Sequence, residues 1–298
     1  MCGIVGLFLK DKMLEPQLGA MLTDMLITMT DRGPDSAGIA IYGAPQKGMA
    51  KLTLQSSKPT EDFDGLQASI EKAVNSKVKA SIKGTHIVIE FPLFHLENAR
   101  GAASAFSPTL KVMSAGESIE IFKEIGLPKD VAAMFGVSKM KGTHGIGHTR
   151  MATESAVTTM GAHPFSTGLD QCLVHNGSLS NHNSVRRDLR RAGMEFETEN
   201  DTEVAAAFIS HKLSEGSQLG DAMEATLTDL DGFFTFVLGT RNGFGVVRDP
   251  IACKPAVMAE TDQYVAFGSE YRALVNLPDI ENSRVWEPEP ATIYFWER

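Results

Sequence analysis

The feature of this chain that most restricts its fold is a set of short runs rich in β-branched and small apolar residues, several of them joined in pairs by tight polar turns. Residues 3–9, 37–42, 145–150 and 172–175 have the composition of strands. Residues 233–239 and 244–248 flank Arg241-Asn242-Gly243, and an Asn-Gly pair between two such runs is a strong hairpin signal. Residues 256–259 and 264–268 flank the polar turn 260–263, and 292–296 reads as a last strand. Hairpins pair antiparallel, and the apolar face of such a sheet needs another layer packed on it. Helical stripes supply that layer. Residues 16–30 set Leu18, Met21, Leu22, Met25 and Met29 on one side, and 183–191 and 201–213 read similarly. Asn200 is expected to cap the last of these, with Asp201 and Glu203 at its positive end. The class is α+β, antiparallel sheets with helices outside them, and the patterns leave the layer order open.

The stretch 45–141 differs from its surroundings. It lacks catalytic-looking clusters and carries its own signals, helices at 63–74 and 129–135 and strands at 86–91 and 110–115. It reads as a small α/β insertion module within a domain spanning 2–298. With 298 residues, 43% of them apolar and 22% charged, the chain can bury a full core. Its net charge of −9 repels nucleic-acid phosphates and anionic membranes, so neither is expected as a partner. Small-molecule chemistry is favoured instead. Cys2, Cys172 and Cys253 have no CxxC spacing, which suggests neither a zinc site nor a disulfide framework and fits a reducing, cytoplasmic home. The opening apolar run is short and meets Lys10, Asp11 and Lys12 at once, unlike a signal peptide. No run approaches the roughly 20 apolar residues of a membrane span.

The chemistry begins at Met1-Cys2-Gly3-Ile4. Methionine is readily excised before a small residue, which would leave Cys2 with a free α-amine beside its thiol. A thiol with a pKa of about 8.5 needs a base, and an α-amine of about 7.7–8.0 can take the proton directly or through one water. Taken alone, a cysteine at position two is more often a small buried residue. Asp31-Arg32-Gly33-Pro34-Asp35-Ser36-Ala37-Gly38 is a charged turn entering a strand. Its functional reading is a loop folded over the Cys2 end, with Arg32 neutralising carboxylates or bracing the loop; its plain reading is a turn. Gly147-His148-Thr149-Arg150-Met151-Ala152-Thr153 ends a strand on an arginine, whose fork pairs bidentately with a carboxylate such as an amino acid carries. His148 and His163 are not spaced as metal ligands, so no metal is expected. Val174-His175-Asn176-Gly177 follows a strand with an Asn-Gly pair. A side-chain amide and a backbone N–H there could hold an oxyanion, although Asn-Gly is also a common turn. Asp201 could bind an ammonium, although an aspartate at a helix start is usually a cap or dipole partner.

Each signal is weak by itself, but their order is not. CGI at the start, then RGPDSAG, GHTRMAT, HNG and NDTE, followed by Arg248-Asp249-Pro250 and Gly268-Ser269-Glu270, closely resembles the class II glutamine amidotransferases, which are N-terminal-nucleophile hydrolases. The resemblance covers most of the chain outside 45–141. It implies a four-layer αββα sandwich of two antiparallel sheets. It implies Cys2 as the nucleophile, Asn176 and Gly177 as the oxyanion hole, Arg150 on the α-carboxylate of L-glutamine and Asp201 on its α-amine, with Thr153 and Arg32 also on the substrate side. No cofactor is implied. The chain departs from the family pattern at Met151, where an aromatic is usual, and at Glu154, where the sugar-phosphate branch has a histidine. The motifs of an ammonia-acceptor domain do not follow, so a separate synthase subunit is expected as partner. Standalone subunits of the glutamate synthase or N-methylglutamate synthase type are the nearest resemblance. Two other readings stay open, a freestanding amidohydrolase of the same nucleophile class and a non-catalytic glutamine-sensing subunit.

Overall fold

The computed structural model describes residues 2–152 and 156–298. Its strands, in chain order, are β1 (Gly3–Leu9), β2 (Ser36–Tyr42), β3 (Met49–Gln55), β4 (Lys79–Lys83), β5 (His86–Pro92), β6 (Lys111–Gly116), β7 (Ile119–Ile125), β8 (His144–Arg150), β9 (Cys172–Leu179), β10 (Gly232–Gly239), β11 (Gly243–Arg248), β12 (Val257–Glu260), β13 (Tyr264–Gly268), β14 (Arg284–Trp286) and β15 (Thr292–Glu297). The helices are α1 (Leu18–Ile27), α2 (Pro59–Asp62), α3 (Leu66–Val74), α4 (Leu96–Phe106), α5 (Pro128–Phe135), α6 (His182–Arg191), α7 (Asp201–Ser214) and α8 (Leu219–Asp229). None of the described helices is long and apolar enough to cross a membrane.

A seven-stranded sheet runs β14-β12-β13-β1-β8-β2-β7, and a four-stranded sheet runs β15-β11-β10-β9. Their named pairs are antiparallel. The two sheets pack face to face over Ile4, Phe8, Tyr42, Ile146, Val174, Val237, Phe244 and Phe267. The opposite face of the larger sheet, through Val5, Leu7 and Leu9, is covered by α1 (Leu18, Leu22, Met25, Leu26) and α5 (Val131, Ala132, Phe135). The outer face of the smaller sheet is covered by α7 and α8, including Val204, Ala205, Phe208, Leu219 and Met223. The layers are therefore α, β, β, α, as the resemblance implies. β1 explains this order locally, because strand side chains alternate between faces and β1 is apolar on both.

The stretch 45–141 divides into two parts. β3 to β6 form a separate sheet, β4-β5-β3-β6, with α3 and α4 closing a core of Leu52, Leu54, Leu66, Ile70, Ile89, Phe91 and Leu96. β7 then returns to the main body and pairs with β2 from Ser36↔Ile125 to Tyr42↔Ile119.

The inter-sheet layer depends on large buried rings. Phe8 of β1 and Phe244 of β11 stack across it with centroids 6.3 Å apart, and both are buried. Phe244→Ala should lower the unfolding free energy by roughly 3–5 kcal/mol, the usual range for emptying a buried aromatic site. Denaturant titration would measure it, and a loss below about 1 kcal/mol would contradict this packing.

Candidate active site

β1 carries the start of the chain into the middle of the molecule. Its antiparallel register with β8 runs Gly3↔Thr149, which sets Cys2 beside the Arg150 end of β8. The two residues line a cavity of about 610 Å³ together with Asn176, Gly177 and Asp201. Five of the residues singled out in the sequence thus converge from β1, β8, β9 and α7. Thr153, like Glu154, lies outside the described residues. Arg32 does not line the cavity. It lies behind Cys2, where its Nε donates to the Cys2 carbonyl at 2.9 Å and its Nη1 meets Glu270 Oε1 at 2.7 Å. The 31–38 loop is tied down further on, since Asp35 Oδ2 accepts from Ala152 N at 2.8 Å and Asp35 N donates to Arg150 O at 3.1 Å.

The Cys2 carbonyl also accepts from Asn176 Nδ2 at 3.2 Å, so the smaller sheet and the 31–38 loop grip the same peptide group. At Gly177, φ is +148°, and a Cβ there would lie 1.9 Å from Phe233 O and 2.8 Å from His175 Nε2. Only glycine fits. Asp201 opens α7, whose cap is Asn200, accepting from Thr202 N at 2.8 Å. Asp201 Oδ2 accepts from Leu179 N at 3.0 Å, and Oδ1 is 3.7 Å from His175 Nδ1. Burial alone would raise this carboxyl, but the His175 ring and the Leu179 N–H outweigh it and bring it down to about 2. Asp201 is therefore an anion across the neutral range, in the same cavity as the Arg150 cation. A cation and an anion facing one small cavity match the two charges of an α-amino acid.

Behind them lies a layer of neutral imidazoles. Burial pushes His148 down to about 3 and His163 well below its usual value, and their rings stack at 4.1 Å. His163 Nδ1 accepts from His175 N at 3.3 Å, which leaves its hydrogen on Nε2, facing Thr202 Oγ1 at 3.3 Å. Thr202 Oγ1 also meets His175 Nδ1 at 3.2 Å. These contacts position β9 and the start of α7.

Some of the residues that hold the site had no role assigned from the sequence. Ser269 Oγ accepts from Ile4 N at 2.9 Å and Glu270 pairs with Arg32, so the Gly268-Ser269-Glu270 run braces the Cys2 end of β1. Glu203, which sequence placed as a dipole partner, accepts from Glu197 N and Thr198 N at 2.8 Å each and so fixes the cavity rim. Arg248 and Asp249 do not line the cavity and hold turns, with Arg248 donating to Ala252 O at 2.9 Å and Asp249 accepting from Ile251 N at 2.9 Å.

Residues 148–276, which include four of the five convergent residues' neighbourhoods and all of β9 and α7, match the family model described as a glutamine amidotransferase domain. The chain is 66% identical over 297 residues to the glutamine amidotransferase-like protein GlxB of Rhizobium meliloti (strain 1021), covering 100% of this chain and 98% of that protein. It is 34% identical over 183 residues to an amidophosphoribosyltransferase of Synechocystis sp., covering 59% of this chain but 36% of that one. Among solved structures, an allosteric regulatory enzyme of purine biosynthesis superposes with a TM-score of 0.65 over 99% of this chain and 47% of its own, at 20% identity, a likeness of fold. Full-length identity to the first relative, the matched domain and the αββα layers around a cysteine-lined cavity lead to one conclusion: the chain belongs to the class II glutamine amidotransferases.

Proposed function

We propose that the chain is a glutaminase subunit that hydrolyses L-glutamine through a thioester on Cys2 and delivers the ammonia to a separate synthase subunit of the glutamate synthase or N-methylglutamate synthase type. The observation that carries the glutamine reading is the convergence of Cys2, Arg150, Asn176, Gly177 and Asp201 on one cavity. Arg150 grips the α-carboxylate and Asp201 the α-ammonium, which fixes the length along which the side-chain amide reaches Cys2. The α-amine of Cys2 takes the thiol proton, and the thiolate attacks the amide carbon. The Gly177 N–H, freed by a backbone that no side chain could follow, and the second hydrogen of Asn176 Nδ2 stabilise the oxyanion. Its collapse breaks the C–N bond, the α-ammonium returns its proton to the leaving nitrogen, and ammonia departs. Water, deprotonated by the same amine, then attacks the thioester, releasing glutamate and restoring the thiol.

The partner assignment rests on the resemblance of the motif set to standalone subunits of those synthases, and Thr153 is kept on the substrate side on the same ground, whereas Arg32 moves from the substrate side to the support of Cys2. The Arg32 guanidinium is taken up by the Cys2 carbonyl and Glu270, so it orients the nucleophile from behind the cavity. The 45–141 stretch is read as an insertion in an amidotransferase domain spanning 2–298; the separate core of β3 to β6 supports that reading for residues 49–116, whereas β7 and α5 belong to the main sandwich.

Cys2→Ala should abolish glutamine hydrolysis with an unchanged unfolding midpoint, while Cys172 and Cys253 variants keep activity. A glutamine-like electrophile that labelled Cys253 in place of Cys2 would overturn the assignment. Arg150→Lys should raise the glutamine KM strongly, because a point charge cannot reproduce a bidentate grip. Asn176→Ala should instead lower kcat by roughly 10²–10³, since an oxyanion donor is missed chiefly in the transition state. Steady-state assays separate the two, and a pure KM effect at Asn176 would remove it from the oxyanion hole. Co-purified synthase subunit should accelerate glutamine turnover, and equal rates with and without it would favour the freestanding amidohydrolase.

A further inference from the structure

One buried charge takes no part in the chemistry above. Lys123 lies on β7, and by strand alternation it shares a face with Ile119 and Ile121, which belong to the inter-sheet core. Its side chain is 3% exposed. Its Nζ donates to the carbonyls of Met160 at 3.3 Å, Ala162 at 2.8 Å and Pro164 at 3.3 Å, and sits 4.4 Å from the centre of the Phe165 ring. Three carbonyls of one turning segment, residues 160–164, therefore point to a single nitrogen. An ammonium has three hydrogens for them and a neutral amine has two, so the geometry selects the cation. Burial pulls the group down to about 7 and the Glu203 carboxylate opposes it. An apolar residue would fill this place at lower cost, which makes the retained charge informative.

The next residue grips the same segment from outside. Glu124 Oε1 accepts the Thr159 hydroxyl and Ile125 N, while Oε2 accepts the Thr85 hydroxyl at 2.7 Å, at the turn between β4 and β5 of the inserted sheet. The segment is pressed onto β2 as well, since a Cβ at Gly38 would lie 1.9 Å from His163 O and 2.7 Å from Lys123 Cβ. What it holds in place is a cavity wall. Thr158, Met160, Gly161 and His163 line the cavity, Ala156 O is 3.5 Å from Arg150 Nη1, and a Cβ at Gly161 would be 3.5 Å from the same atom.

We propose that Lys123, with Glu124, is a positioning residue for glutamine binding, holding the 156–164 wall against which the Arg150 guanidinium lies and linking that wall to the inserted sheet through Thr85. The inference rests on the glutamine reading of the cavity. The wall meets Arg150 directly and β9 at one remove, through His163 Nδ1 and His175 N, while Cys2 itself is held by Arg32 and Asn176, so loss of Lys123 affects binding more than chemistry. Lys123→Met keeps an unbranched side chain, one atom shorter, and removes its three donors.

The test uses the full chain with two readouts. In steady-state glutaminase assays Lys123→Met should raise the glutamine KM by roughly tenfold or more with kcat within about threefold, and Glu124→Gln should move KM the same way by a smaller factor. In labelling followed at the Cys2 peptide, a glutamine-like diazoketone should react roughly tenfold more slowly with Lys123→Met, while iodoacetamide, which needs no amino-acid pocket, reacts as with the natural protein. A merely structural role would change both labelling rates and the unfolding midpoint together, and that result overturns the proposal. So does an unchanged KM in either variant with a native unfolding transition. If Lys123→Met fails to fold, Glu124→Gln decides by the same criteria. Should the natural chain neither hydrolyse glutamine nor take the diazoketone at Cys2, the reading of the cavity itself falls, and this inference with it.

Discussion

β1 has to be buried on both faces, and the rest of the molecule is arranged around that need. Its seven residues are all buried, Ile4 and Phe8 toward the second sheet and Val5, Leu7 and Leu9 toward the helices. A strand with two apolar faces is stable only inside a stack of layers. It must also be paired on both edges, which β13 and β8 provide. The outcome is that the residue before Gly3 is carried to the junction of the two sheets, where a thiol is surrounded by groups from distant parts of the chain. The nucleophile is placed by hydrophobic burial, and its neighbours are placed by the pairing that this burial enforces.

The polar side of the site is built by gripping backbone. The Cys2 carbonyl receives hydrogen bonds from Arg32 and Asn176, Ile4 exchanges two with Ser269, and the 197–198 amides are taken by Glu203. Such bonds restrict the reacting group without occupying the cavity. Among the charged residues that line the cavity, Arg150 and Asp201 are of opposite sign, which suits the two ends of a zwitterion. Desolvation keeps the His148 and His163 rings behind them uncharged, so those two rings add no competing charge.

Much of this was legible in the sequence, for reasons that can be named. β1 and β13 are apolar runs because they lie inside the sandwich, and the Asn242-Gly243 turn is closed as its composition predicts, by Thr240 N to Gly243 O at 2.9 Å. Asn200 was readable as a cap because capping is local. What could not be read depends on long-range partners. Arg32 is 238 residues from Glu270, and no pattern in its own loop indicates that it braces Cys2 in place of lining the cavity. β7 was unmarked although Ile119 and Ile121 alternate, because Lys123 and Glu124 resemble a solvated strand end. The carbonyls that make burial of Lys123 tolerable belong to a segment some 40 residues on.

The central claim is that Cys2, with its own free α-amine, forms the covalent bond to glutamine. The most direct measurement is mass spectrometry of the protein quenched in acid during turnover. The account predicts an N-terminal peptide that begins at Cys2 and carries one γ-glutamyl group as an alkali-labile thioester, absent when glutamine is omitted. A peptide that retains Met1, or an adduct on Cys172 or Cys253 while glutamate is being released, would contradict it.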